Sequence, residues 1–300
     1  MRVLRFFAVG LVCCLVFAAP KSTVAQGKDP AIELNQKRAV PEIQPLYSRY
    51  AQTVSTWTLR GGANFFTDAD LQEAKNFDGA ALDLELTVPL NDRFQVRLYY
   101  PFYTDGEARS TNYGQVELDI EGDGGLLDFP SLTVDYQFLK ADSVSAYNLA
   151  AYLGVGTVFD ELEARGQHSA YFDIYNHRGS VLLFGLKADR EFARAWSFIA
   201  NLGGRYYWDS DDLHPKDEGS DKFWLLDASA ALAYTPADWW LFPVLEMVFR
   251  GDLDNCNCLF LVPQMIIRCG CHLDFNAGVG IGLTNDGPST ETRLQMTLRY

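Results

Sequence analysis

The feature that most constrains this chain is an alternation of period two that runs, with short breaks, from about residue 53 to the last residue. In Gly79–Leu90, Ala80, Leu82, Leu84, Leu86, Val88 and Leu90 alternate with positions that include Asp83, Glu85 and Thr87. In Thr292–Tyr300, Leu294, Met296, Leu298 and Tyr300 alternate with Arg293, Gln295, Thr297 and Arg299, so the pattern holds to the terminus. Period two sends successive side chains to opposite faces of a strand. Twelve such runs are legible: Thr53–Phe66, Gly79–Leu90, Arg93–Tyr103, Leu126–Phe138, Ser145–Val158, Gly179–Ala188, Ala195–Trp208, Lys222–Tyr234, Ala237–Phe249, Cys258–Arg268, His272–Leu283 and Glu291–Tyr300. Most are about 10–14 residues long, enough for a tilted strand to cross a bilayer. Val116, Leu118 and Ile120 make a shorter alternation, read as hairpin structure within a loop.

The links between runs alternate as well. Those after even-numbered runs are short, such as "NDR" at Asn91 and "CGC" at Cys269. Those after odd-numbered runs are mostly long: Thr67–Asp78, Thr104–Gly125, Asp160–Arg178 and Asp209–Asp221. Short periplasmic turns opposite longer external loops are the asymmetry of outer-membrane barrels. Aromatic residues gather at both ends of the runs. Phe65, Phe66, Phe102, Tyr103, Tyr206, Tyr207, Trp208 and Trp224 stand at the long-loop end; Trp57, Phe138, Phe192, Trp196, Trp239, Trp240 and Tyr300 stand at the short-turn end. Two such girdles match the two bilayer interfaces. A soluble β-sandwich would also alternate, but a charged face opposite the apolar one cannot form a dry core. The sequence therefore predicts an all-β fold, a transmembrane antiparallel up-and-down β-barrel of about 12 strands, closed by pairing Thr292–Tyr300 with Trp57–Phe65.

The start of the chain supports export. Phe6–Ala19 is an apolar run of 14 residues after Arg2 and Arg5. That is too short to span as a helix and suits the core of a signal peptide. Thr23 and Ala25 permit cleavage before Gln26. The expected organisation is a signal peptide at 1–25, a periplasmic N-terminal segment at 26–52 that can plug the barrel, and the barrel at 53–300. Loss of Arg2, Arg5 and Lys21 with the signal takes the formal charge from −14 to −17. So acidic a chain is unsuited to nucleic acid. The expected partners are outer-membrane lipid, the barrel-assembly machinery and a small-molecule solute.

The face opposite the apolar one carries Asp83, Glu85, Arg97, Asp135, Lys187, Arg205, Asp227, Glu246, Arg268, Asp274, Arg293 and Arg299. Charged rings of this kind tune permeation through a pore; equally, salt bridges among them can close a narrow barrel. One pair of runs departs from the pattern. Ala237–Phe249 and Cys258–Arg268 are apolar on both faces, and Phe242, Val244, Val248, Phe260, Val262 and Ile266 would form an apolar stripe inside the lumen. Pro243 and Pro263 weaken the pairing there. The stripe reads either as a path for an apolar solute with lateral exit, or as a seat for the 26–52 segment.

Other features are weaker. The loop "DSDDLHPKDEGSDK" is acidic but lacks the spacing of a calcium loop, and a charge run is ordinarily solvent-facing. Cys256 and Cys258 begin a strand that Cys269 and Cys271 end, which holds the two pairs too far apart for a disulfide; a four-cysteine zinc site would require that strand to fold back. His168, His177, His214 and His272 show no spacing that fixes a nucleophile, a base and its orienter. No catalytic residue, metal site or cofactor is expected, and a hydrolase using His168 is the least favoured of the readings.

The end of the chain, "FLVPQMII…HLDFNAGVGIGLTNDGPSTETRLQMTLRY", resembles the outer-membrane family named for the meta-pathway of phenol degradation. The resemblance rests on Val262-Pro263, Leu273-Asp274, Gly278, Gly280 and Gly282, Leu283-Thr284-Asn285-Asp286, Pro288 and a terminal strand ending on an aromatic residue. Earlier, "GDGGLLDFPSLTVDYQF" is similar to that family's glycine-aspartate strand start. The resemblance implies a barrel that passes apolar or aromatic compounds, and it carries no catalytic residues. The resulting expectation is a channel or transporter for small solutes by passive diffusion. The alternative is a structural or interaction barrel with a closed lumen and cation-binding acidic loops. Intact-mass measurement of the exported protein should give Gln26 as its first residue.

Overall fold

In a computed structural model, which describes residues 43–300 apart from 70–73, 111–116, 124–128, 142–146, 167–170, 194, 210–221, 237–238, 255–256 and 285–286, the alternating runs become thirteen strands. They are β1 (Thr58–Ala69), β2 (Ala74–Pro89), β3 (Phe94–Ser110), β4 (Glu117–Asp123), β5 (Ser131–Leu139), β6 (Asn148–Gly166), β7 (Tyr171–Ala193), β8 (Trp196–Trp208), β9 (Lys222–Tyr234), β10 (Leu241–Gly251), β11 (Asn257–Cys269), β12 (Leu273–Gly282) and β13 (Thr290–Arg299). Every pairing is antiparallel. Closure comes from β13 against β1, in register from Thr58↔Arg299 to Thr67↔Thr290. Tyr300 N adds a bond to Trp57 O at 2.8 Å, so the backbone ladder is continued past the last strand residue.

Twelve strands cross and one does not. β5 pairs with β3 and β6 only as far as Ser131. Beyond that point β4 takes its place, pairing Thr104–Arg109 of β3 and Glu161–Gly166 of β6. The barrel wall is thus a closed 12-strand circuit with a raised section over β3, β4, β6 and β7. The short alternation at Leu118 and Ile120 is this extra strand. The long loops expected at Thr104–Gly125 and Asp160–Arg178 are in large part strand instead. The backbone ladder persists there although the hydrophobic period in Asp160–Arg178 does not mark it.

Two strand starts are also corrected. β1 begins at Thr58, not Thr53. β5 begins at Ser131, because Pro130 has no N–H for the ladder and restricts the residue before it. Phe129 turns inward and is buried.

The burial pattern is the reverse of a water-soluble protein. Leu84 is 43% exposed and Leu153 59%, whereas Asp83 is 2% exposed and Glu246 0%. Apolar side chains face outward all round the wall, and the charged and amide side chains face in. Such an exterior is stable only against lipid, as in outer-membrane barrels. Aromatic residues mark both rims: Trp196, Tyr234 and Trp239 at the short-turn end, Phe184, Tyr206, Trp208 and Trp224 toward the other. Phe66 and Tyr207, expected in the outer girdle, point inward and are buried. Replacing Leu84 by Arg should destabilise the barrel by about 2–4 kcal/mol, the cost of a cation near the bilayer midplane. Urea unfolding in lipid vesicles would measure it.

Candidate functional site: a polar lumen lined by the N-terminal segment

The described residues before β1, 43–57, form neither strand nor helix, so their backbone groups need partners elsewhere. The inner wall supplies them, strand after strand. Gln44 O accepts from Gln295 Nε2 of β13 (3.2 Å) and Asn276 Nδ2 of β12 (3.0 Å). Leu46 N donates to Gln264 Oε1 of β11 (3.1 Å), and Tyr47 N and Ser48 N donate to the Glu246 carboxylate of β10 (3.2 and 2.5 Å). Ser48 Oγ donates to Ser229 Oγ of β9 (3.0 Å). Arg49 N donates to Asn201 Oδ1 of β8 (2.6 Å), and Asn201 Nδ2 donates back to Arg49 O (2.7 Å). Ala51 N and Gln52 N share Asp189 Oδ2 of β7 (2.7 and 3.1 Å). Thr53 N donates to Gln137 Oε1 of β5 (3.1 Å) and Val54 N to Gln95 Oε1 of β3 (2.9 Å). Residues 44–54 therefore follow the circumference of the lumen from β13 round to β3, as a collar.

The collar's apolar side chains meet the apolar stripe. Ile43 and Tyr50 pack with Phe242, Val244 and Ile266, and Leu46 packs with Val248 and Val262, with Tyr47 and Phe260 alongside. Pro243 lies opposite Met265, and Pro263 opposite Leu245, so the prolines are offset and the β10–β11 ladder runs unbroken from Leu241 to Gly251. On the other side of β11, paired positions stop at Leu261 and resume at Gln264, which skips Pro263. The segment expected at 26–52 thus holds the wall as far as Val54; residues 1–42 lie outside the described residues.

The wall charges sit together in clusters. Arg97 holds Asp135 with both a 3.1 Å Nε bond and a 3.1 Å Nη2 bond, and Lys187 Nζ donates to the same carboxylate at 2.7 Å. Asp227 takes Arg205 and, at 2.9 Å, Arg250. Glu85 takes Arg60 at 2.8 Å and Arg49 at 3.5 Å. Asp83 takes Arg293 at 2.8 Å. Asp274 takes Arg268 at 3.2 Å and Arg299. Asp83 must reach from β2 past β1 to meet Arg293 on β13, and Gly62 between them leaves the room, since a Cβ there would lie 2.5 Å from Asp83 Oδ1. Likewise Tyr152 lies over Gly185 and Gly203, which pair across β7 and β8, with Arg97 and Lys187 over its ring.

Between the collar and an outer aromatic cluster lies a cavity of about 210 Å³. Leu46, Tyr47 and Arg49 bound it on the collar side; Phe129 and Leu183, which pack with Val181, Tyr207 and Phe223, bound it on the other. Of the expected lumen residues, Glu85, Arg97, Lys187, Arg205, Asp227, Val248 and Arg293 line this cavity. Asp83 and Asp135 stand behind their cations. Glu246 holds the collar, and Phe242, Val244, Val262 and Ile266 lie beneath it. Arg268, Asp274 and Arg299 form a separate cluster near the short-turn end. The sequence reading omitted Arg60, Asp189 and the inward amides Gln95, Gln137, Asn201, Gln264, Asn276 and Gln295. Their inward parity was visible, but uncharged amides gave no reason to single them out.

Among the described residues no group of three or more His, Cys, Asp and Glu side chains can hold a metal. His168, His214, Cys256 and the acidic loop at 210–221 lie outside the described residues. His272 bonds Arg299 O through Nδ1 at 3.0 Å. Cys258 and Cys269 sit near opposite ends of β11, and Cys269 and Cys271 are free thiols.

No family model matches the chain, and no curated protein matches it in sequence. Solved structures share the fold. An outer-membrane channel from Pseudomonas putida F1 superposes with a TM-score of 0.56 at 14% identity, covering 86% of this chain and 100% of that one. The transport unit of the autotransporter AIDA-I from Escherichia coli gives 0.54 at 13% identity, covering 90% and 97%. The translocator domain of the autotransporter NalP from Neisseria meningitidis gives 0.53 at 9% identity, covering 83% and 90%. The chain therefore has the outer-membrane β-barrel fold.

Glu246→Ala should leave two collar amides without an acceptor, at a cost of about 1–3 kcal/mol each. Hydrogen exchange followed by mass spectrometry should then show faster exchange across residues 46–54, with the strands unchanged.

Proposed function

We propose that the chain is an outer-membrane channel that lets small solutes diffuse down their gradient, with the collar setting its aperture. The observation that carries this reading is the cavity between the collar and the Phe129 cluster, walled by buried charged and aromatic side chains inside a closed barrel. A barrel needed only as a scaffold gains little from buried charges, whose desolvation is costly. A permeation path needs a polar wall, because ions and polar solutes must exchange water for side chains. The Pseudomonas putida structure of the same fold is named as a channel, and the resemblance at the end of the chain points to apolar or aromatic compounds. Aromatic and aliphatic side chains within the cavity, among them Tyr47, Tyr99, Phe129, Leu183 and Phe249, suit such a solute.

One observation favours the second reading, a closed structural barrel: wall charges are paired, and the collar covers the apolar stripe. Flux separates the two. Reconstituted in liposomes, the chain should support swelling with small solutes. Deletion of Ile43–Val54 should raise single-channel conductance severalfold. No flux of any solute, in either the full chain or the deletion, would sink the channel reading.

A further inference from the structure

The charged wall of the cavity gives way to an apolar one on its outer side. Arg205 of β8 and its partner Asp227 of β9 line the cavity. Two residues further along β8 the inward side chain is Tyr207, which is buried against Val181, Phe223 and Phe129, with Leu183 and Leu225 packed alongside. Gly156, Val181, Tyr207 and Phe223 are successive pairing partners, so they stand in one line across β6, β7, β8 and β9. In this group the Tyr207 hydroxyl is the one polar side-chain group.

Phe129 carries this apolar line into the lumen. It precedes β5, and β5 is separated from β8 in the wall by β6 and β7, roughly 14 Å at the usual strand spacing. Yet the rings of Phe129 and Tyr207 meet edge to face with centroids 5.9 Å apart. They meet over β6 and β7, where Gly156 has no side chain and Val181 a short one. A Cβ on Gly156 would lie 2.6 Å from the Phe129 ring, so the glycine is what lets the ring cross. The ring is held from three sides. Pro130 O accepts from Thr157 N at 3.1 Å, which ties the backbone beside Phe129 to β6. Tyr207 stacks on Phe223 with centroids 4.4 Å apart, which backs the ring. The Arg205 guanidinium lies 5.3 Å from the centroid of the Phe129 ring.

Of this group Phe129 and Leu183 line the cavity, and Tyr207 and Phe223 stand behind Phe129. We infer that Phe129 is a second constriction of the channel, on the side of the cavity away from the collar, and that its apolar face makes the passage select uncharged solutes over ions. An ion leaving the charged wall must shed water where the next side chains offer it almost no polar partner, a cost that an uncharged apolar solute does not meet. The inference rests on the channel reading for its place in transport and adds to the polar collar a narrowing of the opposite character. Access past Phe129 can be measured without flux.

Planar-bilayer recording of the purified full chain in potassium chloride tests it, each variant first being shown to migrate as a folded barrel in detergent gels. Phe129→Ala and Phe129→Asn should each raise the conductance severalfold. Phe129→Leu, close to Asn in shape but apolar, should stay near the wild-type value. In a wild type that conducts, no change in Phe129→Ala would overturn the constriction and leave the channel reading standing. Asn no higher than Leu would overturn its apolar character. The second arm needs no flux. Leu183→Cys places a thiol on the cavity wall, and its labelling by a charged methanethiosulfonate, read on its own peptide by mass spectrometry, should run severalfold faster when Phe129→Ala is added. Equal labelling rates with and without Phe129 would overturn the constriction. Faster labelling with no conductance in any variant would keep the constriction and remove the channel reading.

Discussion

The structure depends on one constraint: a backbone N–H or C=O within the bilayer finds its partner in protein or not at all. The wall meets it by closure, with β13 returning to β1 over ten paired positions. The collar meets it by a different route. It makes no ladder with any strand, so each of eight amides between Leu46 and Val54 is given a side-chain acceptor instead. Irregular backbone at membrane depth is tolerated only where protein surrounds it. Here the surrounding groups are Gln, Asn, Glu and Asp side chains spaced one strand apart, so the path of the segment follows the circumference of the barrel.

That arrangement explains the division of labour on the inner wall. The amides Gln95, Gln137, Asn201 and Gln264 serve the collar, as do the carboxylates Asp189 and Glu246, which accept backbone N–H groups where other wall carboxylates accept cations. Asp83, Glu85, Asp135, Asp227 and Asp274 each bind at least one cation instead. Two glycines shape these clusters by leaving space: Gly62 lets Asp83 reach Arg293, and Gly203 lets Tyr152 lie flat beneath Arg97 and Lys187.

Much of the wall was legible in the sequence because lipid outside and polar groups inside impose period two on every crossing strand. The pairing of Thr292–Tyr300 with the first strand followed from the same argument. The signal failed where its cause ended. Past the apolar band, β6 and β7 go on pairing, from Val158↔Gly179 to Arg165↔Tyr171, and residues such as Asp160, Glu161 and Glu163 read as loop. Pro130 shortened β5, and Thr53–Trp57 carry an alternation that belongs to the end of the collar and not to β1. The collar itself was legible only as a choice between two roles for the apolar stripe, since nothing local in residues 43–54 encodes a ring. Its course is written in the wall, as an inward amide or carboxylate on one strand after another.

The charge distribution is the last consequence. The acidic side chains of the wall divide in the same way: Glu246 and Asp189 accept collar amides, and among the described residues neither forms an ion pair. Each keeps its negative charge while it holds the collar, since a neutral amide N–H supplies a hydrogen bond and no countercharge. Fields inside a narrow, low-dielectric wall are focused along the opening, so a charge there acts more strongly than the same charge at the solvated surface, where salt screens it. The same carboxylate–amide bonds that fix the constriction therefore place two negative charges beside it.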